Sequence, residues 1–434
     1  MSKKENNNTL VKNATFLMVA ALISKIIGML YKSPLTTLIG RESFACFQFA
    51  QNAYFILLMI ASFSIPQAVS KIMSERIAFK RYRDAQRVFK GALLYAVIAG
   101  GIAALICIFG ASILVPDNMA NARLALQMLA PTIFVSGILG VFRGYFQAYR
   151  NMLPTSISQI LEQIAVATVA LLASGFMVSH FANAGEDTLQ RWSAAGATMG
   201  TGAGVCTAFL FMLFVYKVNH KTIAKKIKND RVSVDESYRS IMKIILLIAA
   251  PIILSAFIYN VNGYINGVMY TSILGWRGVS NSLVKQNYAE YGFFMTLINI
   301  PLTLASTAPT SMMPEVSAQY AIGDLEETKR KIDQATWIAM LISIPASVGL
   351  AVLAQPVTRL IFPSTEGVAG QLMMIGVITV ILNSTSNISN GVLQAIGKAN
   401  IPMINAAIAL GVDVVFLALM LVFTNMGIYA VVLA

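Results

Sequence analysis

Charged residues are scarce in this chain. Of its 434 residues, 12% are charged and 57% are hydrophobic, whereas a soluble globular chain carries about 25% charged residues. Apolar runs of about 20 residues recur along the chain, and each is long enough to cross a ~30 Å hydrocarbon core as a helix. The alternating segments of about ten residues that are typical of a membrane β-barrel do not occur. The sequence therefore predicts an all-α, polytopic helical membrane protein.

Residue types that carry catalysis are also few. All three cysteines fall within apolar runs, where they are expected to be packing residues. The two histidines, His180 and His220, lie far apart in predicted loops. In the run GVLQAIGKA at 391–399, five residues separate the glycines where a phosphate-binding loop needs four. We therefore expect no metal site, no ATP hydrolysis, no resident cofactor and no enzyme.

The apolar runs predict eleven membrane spans and the start of a twelfth. The spans lie near residues 13–39, 44–70, 91–115, 125–149, 154–178, 192–216, 241–275, 288–314, 335–355, 368–396 and 402–424. The first span is too long for a signal-peptide core and is predicted to be a retained helix. The twelfth begins near Gly427, shortly before the chain stops. We expect either that the chain is a fragment or that the count differs at that end.

Basic residues are concentrated in alternate loops. With the N-terminus inside, 24 of the 32 Lys and Arg residues fall on cytoplasmic segments and 7 on external ones. Because Lys and Arg are enriched in cytoplasmic loops, the N-terminus is predicted to be cytoplasmic. The net charge of +13 then reflects topology and contact with anionic lipids, and nucleic acid is not needed as a partner.

Two charged turns of the sequence are similar. They read FRGYFQAYRNMLP at 142–154 and GVLQAIGKANIP at 391–402. Their glycine, glutamine and alanine match at an offset of 247 residues, and the prolines that follow match at 248. Pro66 and Pro314 match at 248 as well. This offset covers six helices, so the sequence predicts an internal duplication whose halves share one orientation.

Repeats of this kind are related by an axis along the membrane normal and are found in transporters, with the substrate site near the midplane between the halves. We therefore predict two pseudo-symmetric six-helix lobes around a central cavity. The predicted domains are an N-terminal lobe at 1–216, a basic cytoplasmic linker at 217–240 and a C-terminal lobe at 241–434 whose twelfth helix is incomplete.

Ionisable residues inside spans are costly, about 2.5–3.5 kcal/mol on insertion scales, and usually face a cavity or a partner. Lys25 and Lys32 share a predicted face of helix 1 with Gly28. Lys32 either snorkels to the outer interface or lines a cavity. For Lys25, which lies deeper, the cavity is the favoured interpretation.

Each half also carries a carboxylate in a span, Glu162 in helix 5 and Asp413 in helix 11, one turn beyond the repeat position of Glu162. They either couple protonation or ion binding to movement, or are structural charges satisfied by hydroxyls or by Arg143. Both interpretations stay open.

Amide side chains form stripes on two predicted helices. Helix 7 carries Asn262 and Asn266 on one face, and helix 10 carries Asn387 and Asn390 on one face. Facing lipid, such stripes would be heavily penalised. They are expected to line a cavity or to form hydrogen bonds between helices.

Three runs resemble a known family. They are FRGYFQAYRNMLPTSISQILEQ at 142–163, SFSIPQAVSKIMSE at 62–75 and NIPLTLASTAPTSMMPEVSAQY at 299–320. They resemble the polysaccharide-biosynthesis family that includes stage V sporulation protein B and the MurJ-like lipid II flippases, within the multidrug/oligosaccharidyl-lipid/polysaccharide exporter superfamily. The resemblance covers the whole chain and implies two six-helix lobes and usually two further helices.

The resemblance also implies roles for individual residues. Family members use basic residues in helix 1 to meet the diphosphate of an undecaprenyl-linked sugar, and the matching position here is Lys25, in SKIIGMLYK at 24–32. The run NYAEYG at 287–292 is similar to the charged start of helix 8, which makes Glu290 a candidate. Tyr291 stands where some relatives carry a basic residue.

The resemblance thus implies a flippase that moves an undecaprenyl-diphosphate-linked oligosaccharide, lipid II or a related cell-envelope glycan, from the inner to the outer leaflet by alternating access. The alternatives are a cation-coupled multidrug exporter of the same superfamily and a non-transporting scaffold in envelope or spore assembly. The expected location is the bacterial cell membrane, with membrane lipids and envelope-synthesis proteins as partners. The substrate-binding candidates are Lys25, Lys32, Arg143, Asn262, Asn266, Asn387 and Asn390. The candidates for coupling to Na⁺ or H⁺ are Glu162, Glu290 and Asp413.

The charge distribution makes a topology prediction. The loops at 71–90 and 217–243 should be cytoplasmic and the loop at 179–191 external. Cysteines introduced at Arg83 and Asn183, in a chain whose own cysteines are replaced, should therefore be labelled from opposite sides of intact cells by a membrane-impermeant thiol reagent. Labelling of both positions from outside would contradict the orientation.

Overall fold

In the computed structural model, residues 19–63, 65–234, 236–398 and 400–434 are described. The start of the first predicted span, at 13–18, lies outside them. No strand occurs in these described ranges, and each of the eleven predicted spans coincides there with helical chain. The prediction of an all-α fold is confirmed.

The helices of the first part of the chain are α1 (19–30), α2 (Lys32–Ile39), α3 (Arg41–Leu58), α4 (Ile65–Ala78), α5 (Tyr82–Phe109), α6 (Ala111–Leu114), α7 (Ala122–Met128), α8 (Ala130–Ala148), α9 (Leu153–His180) and α10 (Glu186–Lys228). A π-helical turn, Met59–Phe63, lies between α3 and α4. The helices that follow are α11 (Tyr238–Trp276), α12 (Asn281–Ala321), α13 (Leu325–Val352), α14 (Ala354–Ile361), α15 (Val368–Gly376), α16 (Ile378–Ala395), α17 (Asn400–Phe423) and α18 (Ile428–Leu433).

Six of the described helices are long and apolar enough to cross a membrane, or seven if the bent pair of α15 and α16 is one span. The six are α5, the α7–α8 pair, α9, the first part of α10, α13 and α17. The chain is thus a multi-pass membrane protein. Its contacts divide it into two compact units, one of Met1–Tyr31 with Phe49–Phe257 and the other of Lys32–Gln48 with Ile258–Ala434. The lobes predicted at 1–216 and 241–434 stay a prediction.

The core of the first unit lies where α5, α8 and α10 meet. Phe89 of α5 packs edge-on against Phe142 and Tyr145 of α8, with ring centroids 5.4 and 4.8 Å apart. Tyr216 of α10 stacks on Phe89 at 5.4 Å. Aromatic pairs of this geometry contribute about 0.5–1.5 kcal/mol beyond their burial. This packing fixes α8, the helix that carries Arg143.

The two charged turns close with the same backbone hydrogen bonds, those of a Schellman motif. The bonds are Arg150 N to Gln147 O (2.9 Å) and Asn151 N to Phe146 O (3.1 Å) in the first turn, and Gly397 N to Gln394 O (3.1 Å) and Lys398 N to Leu393 O (2.8 Å) in the second. Every pair corresponds at the offset of 247 residues. The turn residue has a positive φ in both copies, 58° at Arg150 and 81° at Gly397. The sequence match therefore extends to backbone geometry, which supports the predicted duplication.

The helix contacts behind each turn correspond as well. A methyl group on Gly144 of α8 would lie 2.7 Å from the carbonyl oxygen of Pro66 in α4. A methyl group on Gly391 of α16 would lie 3.1 Å from the sulfur of Met313 in α12. Met313 directly precedes Pro314, the repeat counterpart of Pro66. In both copies the glycine allows one helix to approach the proline segment of another.

The linker predicted at 217–240 is helical over much of its length. Helix α10 continues to Lys228 and α11 begins at Tyr238, which leaves 229–237 between them. The extension is helical because Lys and Ala are good helix formers and because Ile223 and Ile227 pack against the core of the first unit.

The segment between α10 and α11 is tied to the start of α5 by reciprocal capping. Asp230 accepts a hydrogen bond from the backbone N–H of Arg83 at 2.7 Å, and Asp84 accepts one from the N–H of Val234 at 3.0 Å. Burial alone would raise the pKa of the Asp230 carboxyl, but hydrogen bonds from the Ser233 hydroxyl and three backbone N–H groups lower it below its ordinary value. The carboxylate therefore stays charged and paired at neutral pH.

The repeated turn predicts opposite effects of two substitutions. Gly397→Ala places a Cβ at positive φ and should lower the free energy of unfolding by about 1 kcal/mol. Arg150→Gly removes that strain and should be neutral or stabilising, because the greater freedom of the unfolded chain offsets part of the gain. The measurement is the thermal unfolding midpoint in detergent.

Gly411→Ala is the matched control, because Gly411 lies within α17 with no atom within 4 Å of an added methyl group. It should leave the midpoint unchanged or raise it. A Gly397→Ala protein as stable as the Gly411→Ala protein would contradict the proposed strain.

Candidate functional site

Arg143 and Glu162 form an ion pair in the first unit. Nη2 of Arg143 lies 2.7 Å from Oε2 of Glu162, and its Nε donates to Oγ of Ser158 at 3.1 Å. The two charged side chains are only 17% and 20% exposed. A charge-assisted hydrogen bond of this length is among the stronger ones. Of the two interpretations left open for Glu162, this geometry favours the structural one, in which Arg143 neutralises it.

The two lysines of the first span lie on different helices. The helix is interrupted at Tyr31, between α1 and α2. The interruption follows from Pro34, which has no N–H to donate to the carbonyl four residues before it. Lys32 is half-buried and donates to Oγ1 of Thr296 at 3.4 Å, within the second unit. Lys25 is exposed on α1. The continuous basic face predicted for helix 1 is therefore divided.

Asp413 of α17 meets the two asparagines of α11 within the second unit. The side chains of Asn262 and Asn266 interact with its carboxylate. Asp413 is 8% exposed and Asn266 5%. Even so, Oδ2 of Asp413 and Oδ1 of each asparagine are buried and have no hydrogen-bond partner among the described residues. Three oxygen acceptors without donors are a suitable environment for a proton or for a hard cation, which prefers carboxylate and amide oxygens.

Arg277 fixes the two helices that carry this cluster. It lies just after α11, and its guanidinium donates to the carbonyl oxygens of Leu421 and Thr424 at the end of α17 and to Oδ1 of Asn425. The last carbonyls of a helix have no partner within the helix, so a guanidinium placed there satisfies them. The clamp holds α11 and α17 side by side and so helps to position Asn262, Asn266 and Asp413.

The asparagines predicted on the tenth span, Asn387 and Asn390, belong to α16 and lie away from its buried face. That face carries Ser384, whose hydroxyl accepts a hydrogen bond from Ser343 of α13 at 2.7 Å. Asn387 is exposed, and Asn390 is half-buried and donates to Ser386 at 3.3 Å. The stripe is therefore on the surface of the second unit, and its predicted role in substrate binding stays a prediction.

Glu290 is a helix cap. It is 1% exposed and accepts hydrogen bonds from Oγ1 of Thr365 (2.5 Å) and from the backbone N–H groups of Glu366 and Ala369 (2.8 Å each). These groups lie at the N-terminus of α15, where a carboxylate satisfies unpaired N–H groups and the helix dipole. Both oxygens are thus occupied by structural hydrogen bonds. This geometry favours a structural role for Glu290 over the predicted ion coupling.

Sequence reasoning did not single out the partners of Glu290. Arg41 forms an ion pair with Glu366 and lies 3.7 Å from Glu290. The hydrogen bond from Arg41 lowers the pKa of Glu366 below its ordinary value. In the sequence, Arg41 is one more external basic residue, and Thr365–Glu366 is a short loop before a glycine. Nothing in that pattern indicates that they converge.

Comparison with known proteins identifies similar sequences over nearly the whole chain. The family described as polysaccharide biosynthesis protein matches residues 10–320, and the family MatE matches residues 278–419. Lipid II flippase MurJ of Bacillus subtilis (strain 168) is 23% identical, over 94% of this chain and 77% of that protein. Stage V sporulation protein B of the same organism is 25% identical, over 92% of this chain and 75% of that protein.

Solved structures with a similar fold are also found. An inward-facing conformation of a multidrug resistance MATE family transporter of the MOP superfamily aligns with a TM-score of 0.69 at 15% identity, over 98% of this chain and 92% of that one. An outward-facing conformation of such a transporter aligns with a TM-score of 0.64 at 16% identity, over 97% and 90%. At this level of identity the likeness concerns the fold alone.

Proposed function

Because the chain belongs to the polysaccharide biosynthesis protein family, we propose that it is a flippase for an undecaprenyl-diphosphate-linked oligosaccharide, lipid II or a related cell-envelope precursor. The chain is a membrane transporter or flippase of the multidrug/oligosaccharidyl-lipid/polysaccharide exporter superfamily, and the proposal concerns its substrate and direction. In the proposal, the lipid moves from the inner to the outer leaflet by alternating access. The N-terminus is placed on the cytoplasmic side, on the strength of the basic loops.

The choice of substrate rests on the position of Lys25. It is an exposed ammonium on α1, inside the first predicted span, where a charge without a function is rarely kept. A diphosphate headgroup must shed water to enter the protein, and an ammonium in that place replaces part of its hydration. Lys is a compact point charge that binds phosphate without a fixed fork geometry. A positive charge here favours an anionic headgroup.

Arg143 contributes less to substrate binding than its charge suggests, because Glu162 neutralises it at 2.7 Å. Lys32 is the weaker candidate for substrate binding, because it already donates a hydrogen bond to Thr296. The substrate role therefore rests mainly on Lys25, with the exposed Asn387 as a further polar contact in the proposal.

The coupling step is proposed for Asp413. Its carboxylate lies among amides and has no cationic side chain among its described partners, and three buried oxygens around it lack donors. Na⁺ or H⁺ would satisfy those oxygens, and binding or release would change how α17 packs on α11. Glu162 is already neutralised by Arg143 and is therefore the weaker candidate, and Glu290 is committed to the cap of α15.

A cation-coupled multidrug exporter is the second candidate, favoured by the match to the MatE family over residues 278–419 and by the oxygen cluster at Asp413. Against it stands Lys25, because a cationic drug would be repelled by an ammonium in its path. A scaffold without transport is disfavoured because helix packing does not require buried polar atoms without partners, such as those of Asp413, Asn262 and Asn266.

The flippase proposal predicts accumulation of the precursor at the inner leaflet. When the protein is depleted from cells that have no other such flippase, headgroups of lipid-linked precursors should become inaccessible to an external probe. The native chain should restore access, Lys25→Arg should restore part of it, and Lys25→Ala should not.

Lys32→Ala is the matched control, since it removes an equal charge that already has a protein partner, and it should have a milder effect. Membrane abundance is measured for every variant. Unchanged headgroup exposure on depletion would refute the flippase, and full restoration by Lys25→Ala would remove Lys25 from the site.

The two carboxylates should respond differently to neutral replacement. Asp413→Asn keeps size and hydrogen bonding, so abundance should be normal while transport, or its dependence on Na⁺ or pH, is lost. Glu162→Gln keeps an acceptor but leaves the mostly buried Arg143 guanidinium without a counter-ion, which costs about 1–3 kcal/mol, so the unfolding midpoint of this variant should fall. Transport by Asp413→Asn with native ion dependence would assign Asp413 to structure, and an unchanged midpoint in Glu162→Gln would contradict the structural pair.

A further inference from the structure

Helix α3 is anchored in the second unit at its start. The helix passes from the second unit into the first at Phe49. Within the second unit, Oε1 of Glu42 accepts a hydrogen bond from Nε2 of Gln286 in α12 at 3.1 Å. The rings of Phe44 and Phe293 lie 5.3 Å apart on the same two helices. The first turns of α3 are therefore held by α12.

Helix α4, which continues the same predicted span, is anchored in the first unit. A methyl group on Gly144 of α8 would lie 2.7 Å from the carbonyl oxygen of Pro66 in α4, so no side chain fits between the two helices there. Val69 and Ile72 of α4 belong to the buried core of the first unit. No described helix approaches the backbone of α3 as extensively as α8 approaches that of α4. Helix α4 is thus the fixed part of the span.

The π-helical turn at Met59–Phe63 lies between these two anchors. Such turns are rare, frequently occur at functional sites and are places where helices bend. Pro66 has no N–H for the carbonyl of Ser62 four residues earlier, which weakens the α-helical ladder here. The hydroxyl of Ser62 donates to the carbonyl oxygen of Ser136 in α8 at 3.0 Å, and this bond holds the turn itself against the first unit.

The matching segment of α12 has the other geometry. Residues 307–311 correspond to the turn at the offset of 248 residues, and their backbone is α-helical. Pro314 stands there at the place of Pro66, so the proline alone does not impose a wide turn. The same place in the two halves is thus built with either an α-helical or a π-helical turn. Two geometries of similar cost are what a hinge requires.

Between Phe49 and the turn, α3 makes two side-chain contacts with polar groups of the first unit. Nε2 of Gln51 donates to Oγ1 of Thr201 in α10 at 2.7 Å, and the hydroxyl of Tyr54 lies 3.5 Å from Oγ of Ser136. A hydrogen bond contributes about 0.5–1.5 kcal/mol net, less than the several kcal/mol that disruption of a packed core costs. This stretch of α3 can therefore leave its partners while α4 stays in place.

We propose that the π-helical turn is a hinge on which α3 swings relative to α4 as the protein alternates between its two access states. A displacement of the second unit reaches the turn along α3, because the helix is anchored to α12 at its other end. The bending is absorbed at the turn, as hinge motions in general are absorbed by a few residues at the end of an element. The role of the hinge in transport rests on the proposed function, whereas the motion itself does not.

Electron paramagnetic resonance tests the motion without any substrate. Spin labels on cysteines at Phe55 of α3 and Ile98 of α5, both exposed, report the distance across the hinge. The full chain, with its own cysteines replaced, is measured in nanodiscs and should give a broad or two-peaked distance distribution. Labels at Lys71 of α4 and Lys90 of α5, also exposed, are the matched control. They should give one narrow peak, because both of these helices are anchored in the first unit.

Deletion of Ala61 removes the extra residue of the wide turn. An α-helical turn then joins α3 to α4 with both helices in their present register, so the deletion takes away the hinge and preserves the contacts on either side. The Phe55–Ile98 distribution should narrow to a single peak, and the unfolding midpoint should not fall. In the depletion assay of headgroup exposure, this variant should reach the membrane and fail to restore access.

A reversible staple covers the case in which the deletion variant does not fold. Gln51→Cys and Thr201→Cys replace a hydrogen-bonded pair, and a disulfide between them should hold α3 against α10. Oxidation should then abolish headgroup exposure, and reduction should restore it. Gln51→Cys alone is the matched control, since it cannot form the staple, and its headgroup exposure should not respond to the oxidant.

The outcomes separate the hinge from the flippase. A native Phe55–Ile98 distribution as narrow as that of the Lys71–Lys90 control would overturn the hinge. Native headgroup exposure in the deletion variant, or in the chain whose staple is shown to be closed, would overturn its role in transport and with it the proposal. A native chain that shows the broad distribution yet does not restore exposure would refute the flippase and leave the hinge in place.

Discussion

The hydrocarbon core provides no hydrogen-bond partner, so every polar group inside it must find one within the protein, in bound water or in a ligand. The helices of this chain satisfy that constraint for the backbone. The side chains satisfy it unevenly. Glu290 has donors for both carboxylate oxygens and Arg143 has Glu162 as counter-ion, whereas Asp413 and Gln159 each keep an acceptor without a donor.

The presence or absence of partners distinguishes residues that the sequence alone does not distinguish. Glu162, Glu290 and Asp413 are all carboxylates in predicted spans, and each is a candidate for ion coupling, Glu290 through the family resemblance. Their partners divide them into an ion pair, a helix cap and a cluster of amides. A paired charge is expensive to disturb, because its partner is then left buried and alone. A carboxylate without a cationic side chain beside it, here Asp413, is therefore the better site for coupling an ion to a conformational change.

The length of the apolar runs predicts the eleven helical spans, because each span is a local property of about 20 residues. The match between the two charged turns was also visible in the sequence, since Gly144 and Gly391 recur at the offset of 247 residues. Contacts between distant segments were not. The cap of α15 by Glu290 joins residues from two elements, and no local pattern indicates it. The break at Tyr31 could have been inferred from Pro34, and the helical continuation of α10 from its Lys, Ala and Ile content.

The two matching turns share their backbone hydrogen bonds, and the residues that differ between them set the surroundings of each carboxylate. At the offset of 247 residues, the position of Arg143 in the first copy is occupied by Asn390 in the second. The first copy therefore carries a cation that neutralises Glu162. The second carries an amide there, and its carboxylate, Asp413, is surrounded by Asn262 and Asn266 instead. The second half thus has an amide where the first has a guanidinium, and its carboxylate lies among amide side chains. In the proposed coupling, an ion at Asp413 acts on α11 and α17, whereas Glu162 of α9 is already neutralised by Arg143 of α8.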